Sequence, residues 1–115
     1  MSTRSDDGPE LIPRPQHTPD ALRAALAAVA PGRLEEIQAQ KDEAFAKAVE
    51  WQSLSPVQSW LLTWARNIEI ARRPGLAARY SQAKNHLEHE DPVTAREALR
   101  ELSSVLDEAM KTARE

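Results

Sequence analysis

The chain contains no cysteine, which excludes disulfides, thiolate zinc sites and cysteine nucleophiles. The same lack suits a reducing cytoplasm. No apolar run approaches the roughly 20 residues that a membrane-spanning helix needs. The N-terminus lacks the apolar core of a signal peptide, so a soluble cytoplasmic protein with no membrane partner is expected. Glycine occurs only three times. No Gly-rich phosphate loop is present, and neither G-K-[ST] nor G-x-S-x-G appears. No charge sign dominates: 15 basic against 18 acidic side chains leave a net charge of −3, a balance that favours solubility and is not a nucleic-acid signature. Aromatics are scarce, at three Trp, one Tyr and one Phe. No serine has a plausible histidine base, and no segment alternates with the period of two that marks a half-buried strand. No catalytic set and no cofactor site emerge.

What remains is helix. At 115 residues the chain is one domain by size. Nineteen alanines favour helix and close helix approach, and twenty-eight larger apolar residues suffice for a modest helical core. Thr18-Pro19, Ser55-Pro56 and Asp91-Pro92 each place a capping residue directly before a proline. Ser, Thr and Asp accept bonds from the orphan N–H groups of a helix start, and proline at the first helical position loses no hydrogen bond. Ser55-Pro56-Val57-Gln58 also fits the S-x-x-Q capping box.

Helices are therefore expected over about 19–29, 33–51, 56–72, 75–88 and 92–113. Leu22, Leu26 and Val29 share one face of the first. Leu34, Ile37, Phe45, Ala48 and Val49 mark the second, with Trp51 at its end as the tryptophan expected to be partly exposed. Lys41 interrupts that face, its stem covering apolar surface while its ammonium reaches water. Val57, Trp60, Leu61, Trp64, Ile68 and Ala71 form the sharpest stripe, which places the third helix at the centre of the core. Leu76, Tyr80, Ala83 and Leu87 mark the fourth. The expected fold class is all-α, a bundle of four to five helices. Pro9, Pro13 and Pro15 make residues 1–17 a disordered, Pro-rich arm outside a single helical domain at 18–115. Leu11-Ile12, the only apolar pair in that arm, could fold back on the domain.

Three candidate sites follow. The first is an apolar seam on the last helix, Ala95, Leu99, Leu102, Leu106 and Ala109, expected to dock against a protein partner or a second copy. The second is the basic stretch 66–84, where Arg66, Arg72, Arg73 and Arg79 could meet phosphate, opposed there only by Glu69. It carries the alternative of a nucleic-acid-associated regulator, although no motif for reading bases is present. The third is His86 and His89, one helical turn apart beside Glu88, Glu90 and Asp91. Their order fits neither H-E-x-x-H nor H-x-x-E-H and no third ligand is obvious, so no metal site is expected.

The middle of the chain, from about Thr18 to Tyr80, resembles a family of small helical proteins of actinobacteria. The resemblance is carried by Pro19-Asp20-Ala21-Leu22-Arg23-Ala24-Ala25-Leu26 and by the acidic, alanine-rich helix ending Phe45-Ala46-Lys47-Ala48. It continues in Leu54-Ser55-Pro56-Val57, Leu61-Leu62-Thr63-Trp64-Ala65-Arg66 and Arg73-Pro74-Gly75-Leu76. Members of that family often lie beside RelE-type toxins. The resemblance thus implies a non-enzymatic, antitoxin-like partner role and assigns no functional residue.

Overall fold

The computed structural model describes residues 9–115. Five α-helices, and no strand, occur among them: α1 Pro19–Val29, α2 Leu34–Trp51, α3 Ser55–Arg72, α4 Pro74–Leu87 and α5 Pro92–Arg114, with one 3₁₀ turn at Pro31–Arg33. The protein is an all-α bundle, and each helix lies within a residue of the span read from apolar spacing and caps.

The helix ends have local causes. The Thr18 hydroxyl accepts the Ala21 N–H at 3.1 Å. Asp91 accepts the Val93 N–H at 3.2 Å and the Thr94 hydroxyl at 3.0 Å. The capping box expected at Ser55 does not form. Ser55 is already helical, Leu54 precedes it with no side-chain cap, and the Ser55 N–H is taken instead by the Ser53 hydroxyl at 3.1 Å. The α2–α3 turn uses a left-handed residue. Gln52 sits at φ 50°, ψ 49°, the Ser53 N–H reaches the Ala48 carbonyl at 3.1 Å and the Gln52 N–H the Val49 carbonyl at 3.3 Å. This is the double-bonded C-terminal turn in which glycine is the usual left-handed residue, so the Gln52 Cβ is a local strain of order 1 kcal/mol. Between α3 and α4 a single residue suffices. Pro74 disfavours a helical residue before it, and Arg73 is extended at φ −112°, ψ 101°.

Helix α3 is the shared element: α1 and α2 pack on it and on each other, and α4 and α5 do the same. One core gathers Leu22, Leu26, Ile37, Trp60, Trp64 and Ile68. A second gathers Ile70, Leu76, Val105 and Ala109, with Tyr80 and Leu106 packed against them. The central place read for the third helix from its stripe thus holds. Its last turns are buried on more than that stripe, because Glu69, Ile70 and Arg72 are enclosed as well.

Three expectations change. On α2 only Ile37 and Ala44 are buried; Phe45 and Val49, read as core, are exposed. On α5 the buried residues are Ala98, Val105, Ala109, Thr112 and Ala113, a face roughly 60° round the helix from the expected docking seam at 3.6 residues per turn and sharing Ala109 with it. Residues 9–17 form no regular element, yet they do not hang free as the disordered arm would: Ile12 packs on the first core and the Leu11 N–H bonds the Arg72 carbonyl at 2.8 Å. The part of that expectation falling on residues 1–8 lies outside the described residues.

Candidate functional site

The arginines expected to face phosphate converge, but on carboxylates of their own chain. Glu69 lies three residues before Arg72 and four before Arg73, the spacing that brings helix side chains together. Arg72 grips it side-on, Nε to Oε1 at 2.9 Å and Nη2 to Oε2 at 3.0 Å. Arg73 adds Nη1 to Oε2 at 3.2 Å. All three residues are 2–3% exposed. The Arg73 Nη2 reaches Glu108 Oε1 on α5 at 3.4 Å. From α4, Arg79 bonds Glu101 Oε2 at 2.9 Å and Glu108 Oε2 at 3.0 Å. The remaining Arg72 nitrogen, Nη1, meets Glu10 Oε1 at 2.9 Å and the Ile12 carbonyl at 3.0 Å.

Three guanidiniums thus share four carboxylates in one network from the N-terminal arm through α3 and α4 to α5. The hydrogen bond from Arg79 holds the Glu101 carboxyl below its ordinary value of 4.5 against a smaller opposing effect of burial. The same bond, joined by Glu108, raises Arg79 and keeps it charged. Arg66 stands apart, half-buried, with Nε and Nη2 on the Asn67 amide oxygen at 3.3 and 3.1 Å. Three of the arginines of the basic stretch are therefore paired with carboxylates, and Arg72 and Arg73 have almost no surface to offer a phosphate.

The network accompanies the burial of one side of α5. Glu101 and Glu108 are seven residues apart and lie on one flank of the helix. Their bonds to Arg79 and Arg73 lie along that flank, beside the face on which Val105 and Ala109 pack against Ile70 and Leu76. Of the expected docking seam, Ala109 is fully buried, Leu106 packs on the second core and Leu99 is 56% exposed; Ala95 and Leu102 are half-buried. The five residues do not present one continuous outer surface.

His86 and His89 are exposed at the end of α4, and the His89 Nδ1 accepts the Asp91 N–H at 3.0 Å. Among the described residues, no group of three or more His, Asp or Glu could hold a metal ion.

The outward apolar surface lies elsewhere. Phe45 is 42% exposed, Val49 79%, Trp51 59% and Leu54 70%. Phe45 and Val49 sit one turn apart on α2. Trp51, at the helix end, forms one wall of an open groove of about 330 Å³ between α2 and α3, with Lys47, Ser59, Trp60 and Thr63 among its lining. The two other tryptophans are structural: Trp60 donates to the Ile37 carbonyl at 3.2 Å and Trp64 to the Gln40 side chain at 3.0 Å. The Arg33 guanidinium lies 4.8 Å from the Trp64 ring centre.

Glu10, Glu101 and Glu108 went unread as site residues because nothing local ties them to arginines 22 to 62 residues away. The Glu69 part was visible as helix spacing. The exposed pair on α2 was misread because apolar spacing gives a face and not what covers it. No helix among the described residues is long and apolar enough to cross a membrane. Compared with known proteins, the chain matches no family description, no curated protein and no solved structure.

Proposed function

We propose that this chain is a non-enzymatic protein-interaction module of the cytoplasm that binds through the α2–α3 corner. One observation carries the reading: Phe45, Val49, Trp51 and Leu54, four large apolar side chains within ten residues, are each more than two-fifths exposed. Scattered apolar residues on a surface are ordinary, but such a concentration is characteristic of association sites, and tryptophan is prominent among interface anchors. The resemblance to actinobacterial proteins encoded beside RelE-type toxins supports the finer proposal that the partner is such a toxin and the role antitoxin-like.

The test is solution mass by light scattering, for the chain alone and mixed with a RelE-type toxin, against the variant Val49→Asp/Leu54→Asp. Both side chains are exposed, so the variant keeps its helical circular dichroism. The expected result is a complex, or a self-associated species above 12.8 kDa, that is lost in the variant. A wild-type chain that stays at its monomer mass in both samples overturns the reading. A complex indifferent to the variant moves the interface off this corner.

A further inference from the structure

Residues 10–14 lie on the bundle in the manner of a bound peptide. Arg72 holds three consecutive residues of them. Its guanidinium takes the Glu10 carboxylate at 2.9 Å and the Ile12 carbonyl at 3.0 Å, while its own backbone carbonyl takes the Leu11 N–H at 2.8 Å. That carbonyl is among the last of α3, where no helical partner remains for it. Two residues on, Arg14 Nη1 donates to the Thr112 carbonyl near the end of α5 at 2.8 Å, and the same nitrogen lies 3.9 Å from Glu115. Of these residues only Ile12 is half-buried, while Glu10, Leu11, Pro13 and Arg14 are exposed, so the segment lies on the surface and is held by its bonds and by Ile12. The chain bends at Leu11 and Ile12. Two of the four close bonds go to backbone atoms of the segment, which any chain possesses. Selectivity rests on the acid, the branched apolar residue and the base at alternate positions.

We infer that this seat is a peptide-binding site whose resident ligand is the chain's own arm, so that the arm is an autoinhibitory strap. The partner segment that displaces it follows the same bent path and carries an acidic, a branched apolar and a basic residue at positions one, three and five. This inference rests on the reading of the chain as an interaction module, and it places a second contact away from the α2–α3 corner. The strap is held chiefly by charge at its ends. Glu10 is 40% exposed in its side chain, and Arg14 and Glu115 are 42% and 54% exposed, so salt weakens its docking. Its release leaves the helices with their own cores, since only Ile12 of the strap packs on either one.

The experiment uses the full-length chain. In the variant Glu10→Ala/Ile12→Ser/Arg14→Ala the strap is released. The probe is the synthetic peptide of residues 9–17, added to isotope-labelled protein up to several millimolar while the Arg72 Nε and Thr112 amide resonances are followed. The variant is expected to bind with shifts at both positions that fade as salt is raised. The wild-type chain needs about tenfold more peptide, because a strap docked nine-tenths of the time lowers apparent affinity by that factor. A folded variant that shows no shift at either position, or a wild-type chain that responds like the variant, overturns the inference. So does a wild-type mass that is doubled and falls to the monomer's in the strap variant, since the seat would then hold a second copy's arm. An association lost only in Val49→Asp/Leu54→Asp belongs to the α2–α3 corner and leaves the strap to be judged by the peptide.

Amide exchange on the wild-type chain provides a second reading that needs no variant. The Leu11 amide is expected to exchange at least about tenfold faster than that of Ile68, through local opening. Equal exchange of the two would make the arm a fixed part of the fold and overturn the strap.

Discussion

Arg72 engages Glu69 through two nitrogens and directs the third to Glu10 and the Ile12 carbonyl. A guanidinium has five N–H groups in a rigid fork, and four of them are committed here. Lysine, a point charge on a flexible stem, could not hold the same set. Glu69 is the complementary hub, 2% exposed between two arginines. Removing one member of a buried charge cluster leaves the others desolvated and uncompensated, which is far more costly than losing a surface pair. Glu69→Ala is therefore expected to destabilise the protein by about 3–5 kcal/mol, read as a lowered urea midpoint. A loss under about 1 kcal/mol would mean that water reaches the arginines and solvates them.

At the scale of the element, α5 buries a face other than its most apolar one. Its apolar residues centre on the side of Leu99, Leu102 and Leu106, yet the helix buries the side of Ala98, Val105 and Ala109. Alanine at 98 and 109 lets α5 approach its neighbours closely, and there Arg73, between α3 and α4, reaches Glu108 while Arg79 of α4 reaches Glu101 and Glu108. The two faces give opposite expectations for substitution. Leu99→Ser should change stability by no more than about 0.5 kcal/mol, as surface changes do. Ala109→Leu adds volume where none is free and should cost about 1–3 kcal/mol. Urea unfolding of both variants checks this, and a loss of about 2 kcal/mol or more in Leu99→Ser would put the Leu99 side in the core. The caps show the same division between local and distant causes. Thr18 and Asp91 cap as their dipeptides imply, whereas at Ser55 the turn set by Gln52 and Ser53 carries the chain into the helix a residue early.

For the molecule as a whole, charge becomes visible through pH. The Arg33 hydrogen bond lowers the Glu36 carboxyl, and the Arg79 hydrogen bond lowers that of Glu101, each against a smaller effect of burial. A carboxyl that binds its proton less readily folded than unfolded contributes stability in full above its ordinary value of 4.5. That contribution fades as pH falls through the lowered folded values. Both groups are largely exposed, at 44% each, so screening limits each contribution to about 0–1 kcal/mol. The urea midpoint is expected to fall as pH drops below the ordinary carboxyl value, and Glu101→Gln should fall less steeply than wild type over the same range. Equal slopes would show that Arg79 gives Glu101 no stabilising contact in solution.

What the sequence determined by itself is whatever depends on neighbours within about a turn. Apolar spacing and cap–proline pairs located five helices, and the stripe through Trp60, Trp64 and Ile68 marked the central one. The same local logic made Trp51 the exposed tryptophan, whereas Arg72 and Arg73 were read as facing phosphate although Glu69 lies at helix spacing from both. Only the tertiary structure decided which sides of α2 and α5 are covered, that Arg72, Arg73 and Arg79 meet carboxylates, and that residues 10–14 lie against the bundle. Those outcomes rest on pairs such as Arg79 with Glu101, Arg73 with Glu108, Arg72 with Glu10 and Arg14 with Thr112, separated by 22 to 98 residues. A helix period records which residues share a face. It carries no information about which distant charge meets that face, because that depends on how the helices are placed against one another.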